Sequence, residues 1–169
     1  MCITRLLFSV VLGAAVFAWS ADSPVVASQA SAGSAADPVL GIWHLNVAKS
    51  KYSPGPAPKS QSRTYEANKD GVKTTIRTVY ADGNTASIQY VAAYDGMEYP
   101  LTGSVDSDAI ALKRFDLYTA ESTLMHGTVV MGTARRVISK DGKTMTMSYE
   151  GIRQGQRVND VMVYEKEEK

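Results

Sequence analysis

Residues 70–96 read DGVKTTIRTVYADGNTASIQYVAAYDG. Three Asp-Gly pairs, at 70–71, 82–83 and 95–96, place their glycines 12 and then 13 residues apart. Asp-Gly supplies the positive φ that a tight hairpin turn demands. The intervals between the pairs are rich in Thr, Val, Ile and Tyr, which fit a pleated surface. In the first interval Val72, Thr74, Ile76, Thr78 and Tyr80 share one face, and Lys73, Thr75, Arg77 and Val79 share the other. In the second, Ile88, Tyr90, Ala92 and Tyr94 fall together. Alternation with period two is the pattern of strands with one side toward a core. Regularly spaced turns between such strands predict an antiparallel meander.

The same pattern extends outward from this stretch. A further Asp-Gly pair lies at 141–142, and after it Met145, Met147 and Tyr149 alternate with Thr144, Thr146 and Ser148. Ten strands are predicted, at 39–46, 62–68, 72–81, 85–94, 97–102, 109–115, 118–126, 128–139, 143–151 and 157–165. Nothing after residue 36 sustains a capped 3.6-residue apolar period, so little helix is expected. The predicted fold class is all-β, an antiparallel up-and-down meander barrel of eight to ten strands. A barrel of that size encloses either a filled core or one small ligand.

Residues 50–60, SKYSPGPAPKS, interrupt the pattern with prolines at 54, 56 and 58. Proline at this density denies both helix and central strand, so an extended polyproline-like connector across one barrel end is expected.

The N-terminal residues read differently again. Residues 1–20 carry a basic Arg5, an apolar run over 6–19 and small residues at Ala18 and Ser20, the features of a secretory signal peptide; the alternative is an uncleaved anchor. Residues 21–36, ADSPVVASQASAGSAA, are small, polar and aperiodic, and read as a flexible linker. A single domain over 37–169 is expected. The chain's one cysteine, Cys2, falls within the signal, which excludes a disulfide framework and a cysteine-based zinc site. Without residues 1–20, whose only charged residue is Arg5, the chain carries 17 basic and 17 acidic residues. That balance argues against nucleic acid as a partner. The expected location is periplasmic or extracellular, with no stable membrane span after cleavage.

Chemistry-bearing constellations are sparse. His44 and His126 are the only histidines, and no metal site or cofactor is expected from them. There is no G-x-S-x-G elbow and no phosphate-binding glycine loop. No catalytic residue is therefore assigned.

Gly41-Ile42-Trp43 on the first strand resembles the G-x-W signature of the calycins, the lipocalins and fatty-acid-binding proteins. The segments LGIWHLNVAKSKYSPGPAPKSQ (40–61), RVISKDGKTMTMSYEG (136–151) and VMVYEK (161–166) resemble a group of secreted bacterial lipocalin-like proteins that has no established activity to carry over. The resemblance covers nearly all of 38–169. It implies a barrel with an interior for a small apolar molecule, with Gly41 and Trp43 as structural residues. Many fatty-acid-binding proteins clamp a carboxylate with Arg-x-Tyr on the last strand. The matching residues are Met162, Val163 and Tyr164, so Tyr164 fits and the arginine is missing. Arg77, Arg114, Arg135 and Arg136 are the candidates to replace it. Arg135 and Arg136 are adjacent, so one must point inward if their strand is regular.

The candidate cavity residues are Tyr90, Tyr94, Arg135, Arg136, Met145, Met147, Tyr149 and Tyr164. Tyrosine joins apolar area to a hydrogen-bonding tip, and methionine adapts to irregular surroundings. The expected function is non-catalytic binding of a small, mostly apolar molecule inside the barrel. The alternatives are a protein-interaction module with a packed barrel and an enzyme of unknown reaction on the same barrel. A cavity of ligand size favours the first, and an interior filled to core density favours the second.

Overall fold

The computed structural model describes residues 37–168. The expected signal and linker, residues 1–36, lie outside the described residues. Ten strands follow in chain order: β1 (Gly41–Leu45), β2 (Ser60–Asn68), β3 (Gly71–Val79), β4 (Thr85–Ala92), β5 (Asp95–Thr102), β6 (Ala109–Arg114), β7 (Thr119–His126), β8 (Val129–Ile138), β9 (Thr144–Arg153) and β10 (Gln156–Lys166). Each pairs antiparallel with its chain neighbour, and β1 pairs with β10, so the meander closes into a barrel. A single 3₁₀ turn at Val47–Lys49 is the only helical element among the described residues. No described helix is long and apolar enough to cross a membrane.

Side-chain alternation sets the inside. On β3, Val72, Thr74, Ile76 and Thr78 are buried while Lys73 and Arg77 are exposed. On β10, Val158, Asp160, Met162 and Tyr164 are buried. Trp43 is fully buried, and its indole N–H donates to the Val39 carbonyl at 2.7 Å. A buried indole needs such a partner, so this contact fixes the turn that leads into β1. The turns at Asp70-Gly71, Asp82-Gly83 and Asp141-Gly142 obey the Asp-Gly chemistry, but Asp95-Gly96 lies inside β5 rather than in a turn. Gly71 holds φ at +132°, and a Cβ built there would collide with the Ala92 carbonyl.

The ring is not uniform. β3 and β4 share eight register pairs and β9 and β10 share ten, but β4 and β5 share only two, Gln89 with Thr102 and Tyr90 with Leu101. β1 is also short. Past Leu45 its place beside β10 is taken by the start of the proline segment: Lys51 bridges to Val161, and Asn159 N–H donates to the Ser53 carbonyl at 2.7 Å. The start of the segment is thus a strap along β10, and its Ser53–Pro54 and Gly55–Pro56 peptides are cis.

Candidate functional site

The barrel interior is more polar than the sequence led us to expect. β2 reads SQSRTYEAN, and its alternation turns Gln61, Arg63 and Tyr65 inward together. Tyr65 is buried and Arg63 partly so. Arg63 Nε donates to the Tyr164 hydroxyl at 3.0 Å, and its guanidinium carbon lies 5.3 Å from the centre of the Tyr164 ring. The Tyr164 hydroxyl donates to Gln61 Oε1, and Gln61 Nε2 donates to Thr78 at 2.7 Å. Gln61 thus relays one polar chain from the Arg63 side to β3.

A second guanidinium enters from β8. Arg136 is 8% exposed and donates to the Tyr94 hydroxyl at 2.8 Å. Its guanidinium carbon lies 5.4 Å from the Tyr65 ring centre and 5.6 Å from that of Tyr94. Its Nε is buried without a hydrogen-bond partner, and so is the Thr74 hydroxyl.

No carboxylate forms a hydrogen bond or ion pair with Arg63 or Arg136 among the described residues. Among the described residues Asp160 is the one fully buried acid, and Arg153 Nη2 already meets it at 2.9 Å. Asp37 is bound by Arg114, whose guanidinium also lies 3.9 Å from the Tyr94 ring centre. Taking an ion out of water costs roughly several kcal/mol. Cation–π contacts return about 0.5–2 kcal/mol each, so the rings offset only part of this cost.

Proton equilibria follow the same charges. Burial disfavours the charge on Arg63, but the neighbouring oxygens of Tyr164, Tyr65 and Tyr90 outweigh it and hold the guanidinium more firmly protonated. Arg136 behaves likewise through Tyr65 and Tyr94. Burial pushes the Tyr65 phenol up, yet Arg63 and Arg136 together pull it below its ordinary value. Burial and then the charge of Tyr65 push Tyr90 up.

Beside Arg136 lies a void of about 20 Å³ bordered by Tyr65, Tyr90, Tyr94, Leu112, Arg136 and Met147, which Arg63 does not reach. A space of that size admits about one water. Glu121 also borders it, from the outward register row in which it pairs with Lys113 and Arg135.

The expected site residues separate. Tyr90, Tyr94, Arg136 and Met147 come together at the void. Tyr164 is fully buried beside Arg63, and Met145 is fully buried in the core. Tyr149 lies away from the void. Its hydroxyl crowds Gly132 and Gly151, which oppose each other on β8 and β9. Arg135 is not an interior residue. It is exposed, with its guanidinium 5.3 Å from the Phe115 ring centre. The parity of β8 decides this: Ala134, Arg136 and Ile138 share the buried face. Arg77 is exposed and Arg114 is occupied by Asp37, so Arg136 alone of the four expected arginines offers an unpaired interior charge. Arg63 was missed. Its signal was its i, i+2 spacing to Tyr65, set against the usual preference of arginine for water. Compared with known proteins, the chain matches no family profile and none of the curated proteins.

Proposed function

We propose that this is a secreted, lipocalin-like, non-catalytic barrel that binds a small, mostly apolar molecule bearing one anionic group. The single observation that carries the reading is the pair Arg63 and Arg136, inward-facing and without a carboxylate partner. A carboxylate or phosphate placed between them would accept charge-assisted hydrogen bonds, which are about twice as strong as neutral ones. It would also relieve the cost of holding two unpaired cations. The rest of the molecule would lie against Tyr65, Tyr90, Leu112 and Met147. Entry requires the interior to yield, since the void is only about 20 Å³. Met145, Met147 and Met162 are unbranched and can repack, and the two-pair β4–β5 seam flanks Tyr90.

The small void also favours a second reading, a packed module that binds another protein through its surface. Native mass spectrometry of the protein secreted by its own type of host separates the two. A reproducible extra mass, removed by denaturation and identified as an anion with an apolar body, supports the binding reading. A clean mass, unchanged after incubation with long-chain fatty acids and isoprenoid phosphates, overturns it in favour of the module.

A further inference from the structure

The outer wall of the barrel has a hollow of its own. A cleft of about 470 Å³ lies against β1 to β4, bordered by the side chains of His44, Ser60, Ser62, Arg77, Thr85 and Ser87, and reached also by Gln61 and Thr78 of the inward row. The first six side chains are on the outward face. His44 pairs with Ser62, Ser62 with Arg77, and Arg77 with Ser87, so one register row crosses four strands. Ser60 and Thr85 stand in the next outward row, both opposite Val79. The outside of a barrel is normally convex. Here short hydroxylated side chains expose the floor between taller residues, and the His44 ring forms one wall, held by Glu167 at 3.1 Å.

We propose that this cleft is a second binding site, for a hydroxyl-rich sugar acid, distinct from the Arg136 pocket. The volume falls within the roughly 300–1,000 Å³ typical of ligand clefts and far exceeds what a bare inorganic ion fills. Serine and threonine hydroxyls both donate and accept, which matches the hydroxyls of a sugar ring. Arg77 makes no side-chain hydrogen bond or ion pair among the described residues, so its planar fork is available for a carboxylate. No acid borders the cleft directly, which disfavours a cation, and its one ring is the polar His44 imidazole, which disfavours a flat apolar ligand.

The test is an amide-shift titration by NMR of the full secreted protein with glucuronate, with glucose and acetate as comparators. Glucuronate should shift residues 60–62, 77–79 and 85–87 with a Kd on the order of 1 mM, at least about fivefold tighter than either comparator. Arg77→Gln should reduce glucuronate to the level of glucose. Ser62→Tyr, which fills the cleft from an outward position, should abolish the shifts. Equal binding of acetate would reduce the site to a bare carboxylate contact, and equal binding of glucose would remove the role of Arg77. Either result overturns the proposal, as does the absence of shifts in these nine residues. Neither variant touches Arg63 or Arg136, so failure here leaves the interior reading standing.

Discussion

Arg136 holds its guanidinium carbon 5.4 Å from the centre of the Tyr65 ring, although their strands stand four places apart around the barrel. Arg63, two residues before Tyr65 on the same face, brings the second cation. Tyr65 is therefore the group best placed to supply negative charge when no ligand is present.

Tyr65 should titrate below the other buried tyrosines. In a pH titration of phenolate absorbance, Tyr65→Phe should remove the earliest-titrating tyrosine, and Arg136→Gln should move that component upward. Because its folded value is depressed, Tyr65 contributes stability that is present above the unfolded value of about 10 and is lost as pH falls through the folded value. A bound anion should raise the Tyr65 value, since it competes for the same guanidinium groups. No change in the titration of the Tyr65→Phe variant would refute this arrangement.

Five other tyrosines shift the opposite way, Tyr99 chiefly through its hydrogen bond to Asp95 and four through burial. Tyr52, Tyr90, Tyr149 and Tyr164 are all pushed up, in each case chiefly by burial. Each contributes stability that is intact below about pH 10 and is lost as pH rises toward its folded value. Four such groups outnumber Tyr65, so the urea midpoint should fall between about pH 10 and 11.5. A midpoint that stays flat or rises over that window would contradict the burial of these phenols.

Arg136→Met should leave the ligand-free protein at least as stable as the parent. Replacing buried charge by apolar volume is often neutral or stabilising by about 1–4 kcal/mol, and the lost bond to Tyr94 offsets about 1 kcal/mol of that. The same variant should lose any anion-dependent rise in melting temperature. A destabilisation above about 2 kcal/mol in urea would mean that Arg136 is structural.

Asp160→Ala should loosen the strap on β10. The Asp160 carboxylate accepts the Ser53 N–H at 3.1 Å and faces Arg153, and breaking a buried pair costs about 3–5 kcal/mol. Hydrogen exchange should accelerate first at Lys51 and Asn159, whose amides pair along this contact. Uniform acceleration across the barrel would show that the strap has no separate opening.

Trp43→Phe should cost about 1–3 kcal/mol, because it removes the indole N–H that satisfies the Val39 carbonyl. Trp43→Ala should cost about 3–5 kcal/mol through the cavity it leaves. Thermal unfolding distinguishes the two, and equal losses would mean that packing alone matters.

The strands were legible because the turn chemistry and the period-two alternation agree along most of the chain. Two hairpins, β2–β3 and β3–β4, turn at Asp70-Gly71 and Asp82-Gly83 as the sequence predicts, whereas Asp95-Gly96 opens β5. The first strand is shorter than its sequence pattern predicts because local hydrogen bonds compete at both of its ends. Leu40 N–H donates to the Asp37 carbonyl, and Asn46 caps the 3₁₀ turn through Lys49 N–H. The interior was legible only where it is apolar. Arg63 lies in a polar strand, and its one local signal, the i, i+2 spacing to Tyr65, does not say which face is inward; that follows only once β1, β10 and β2 have closed the ring. For Arg135 and Arg136 the answer was present in their neighbours, since Ala134 and Ile138 flank the inward residue while Thr133 and Val137 flank the outward one.

The pairing of β1 with β10 has a consequence for how the barrel is made. The first strand waits for a partner more than 110 positions later in the chain, as Trp43 waits for Lys166. Contacts so distant in sequence are slow to form. Until residues 156–166 have been synthesised, β1 and β9 each offer an unpaired edge to solvent and to other chains. A chain shortened before β10 should therefore collect as aggregates rather than as a nine-stranded monomer, and this seam is where assembly of the protein is most exposed to failure.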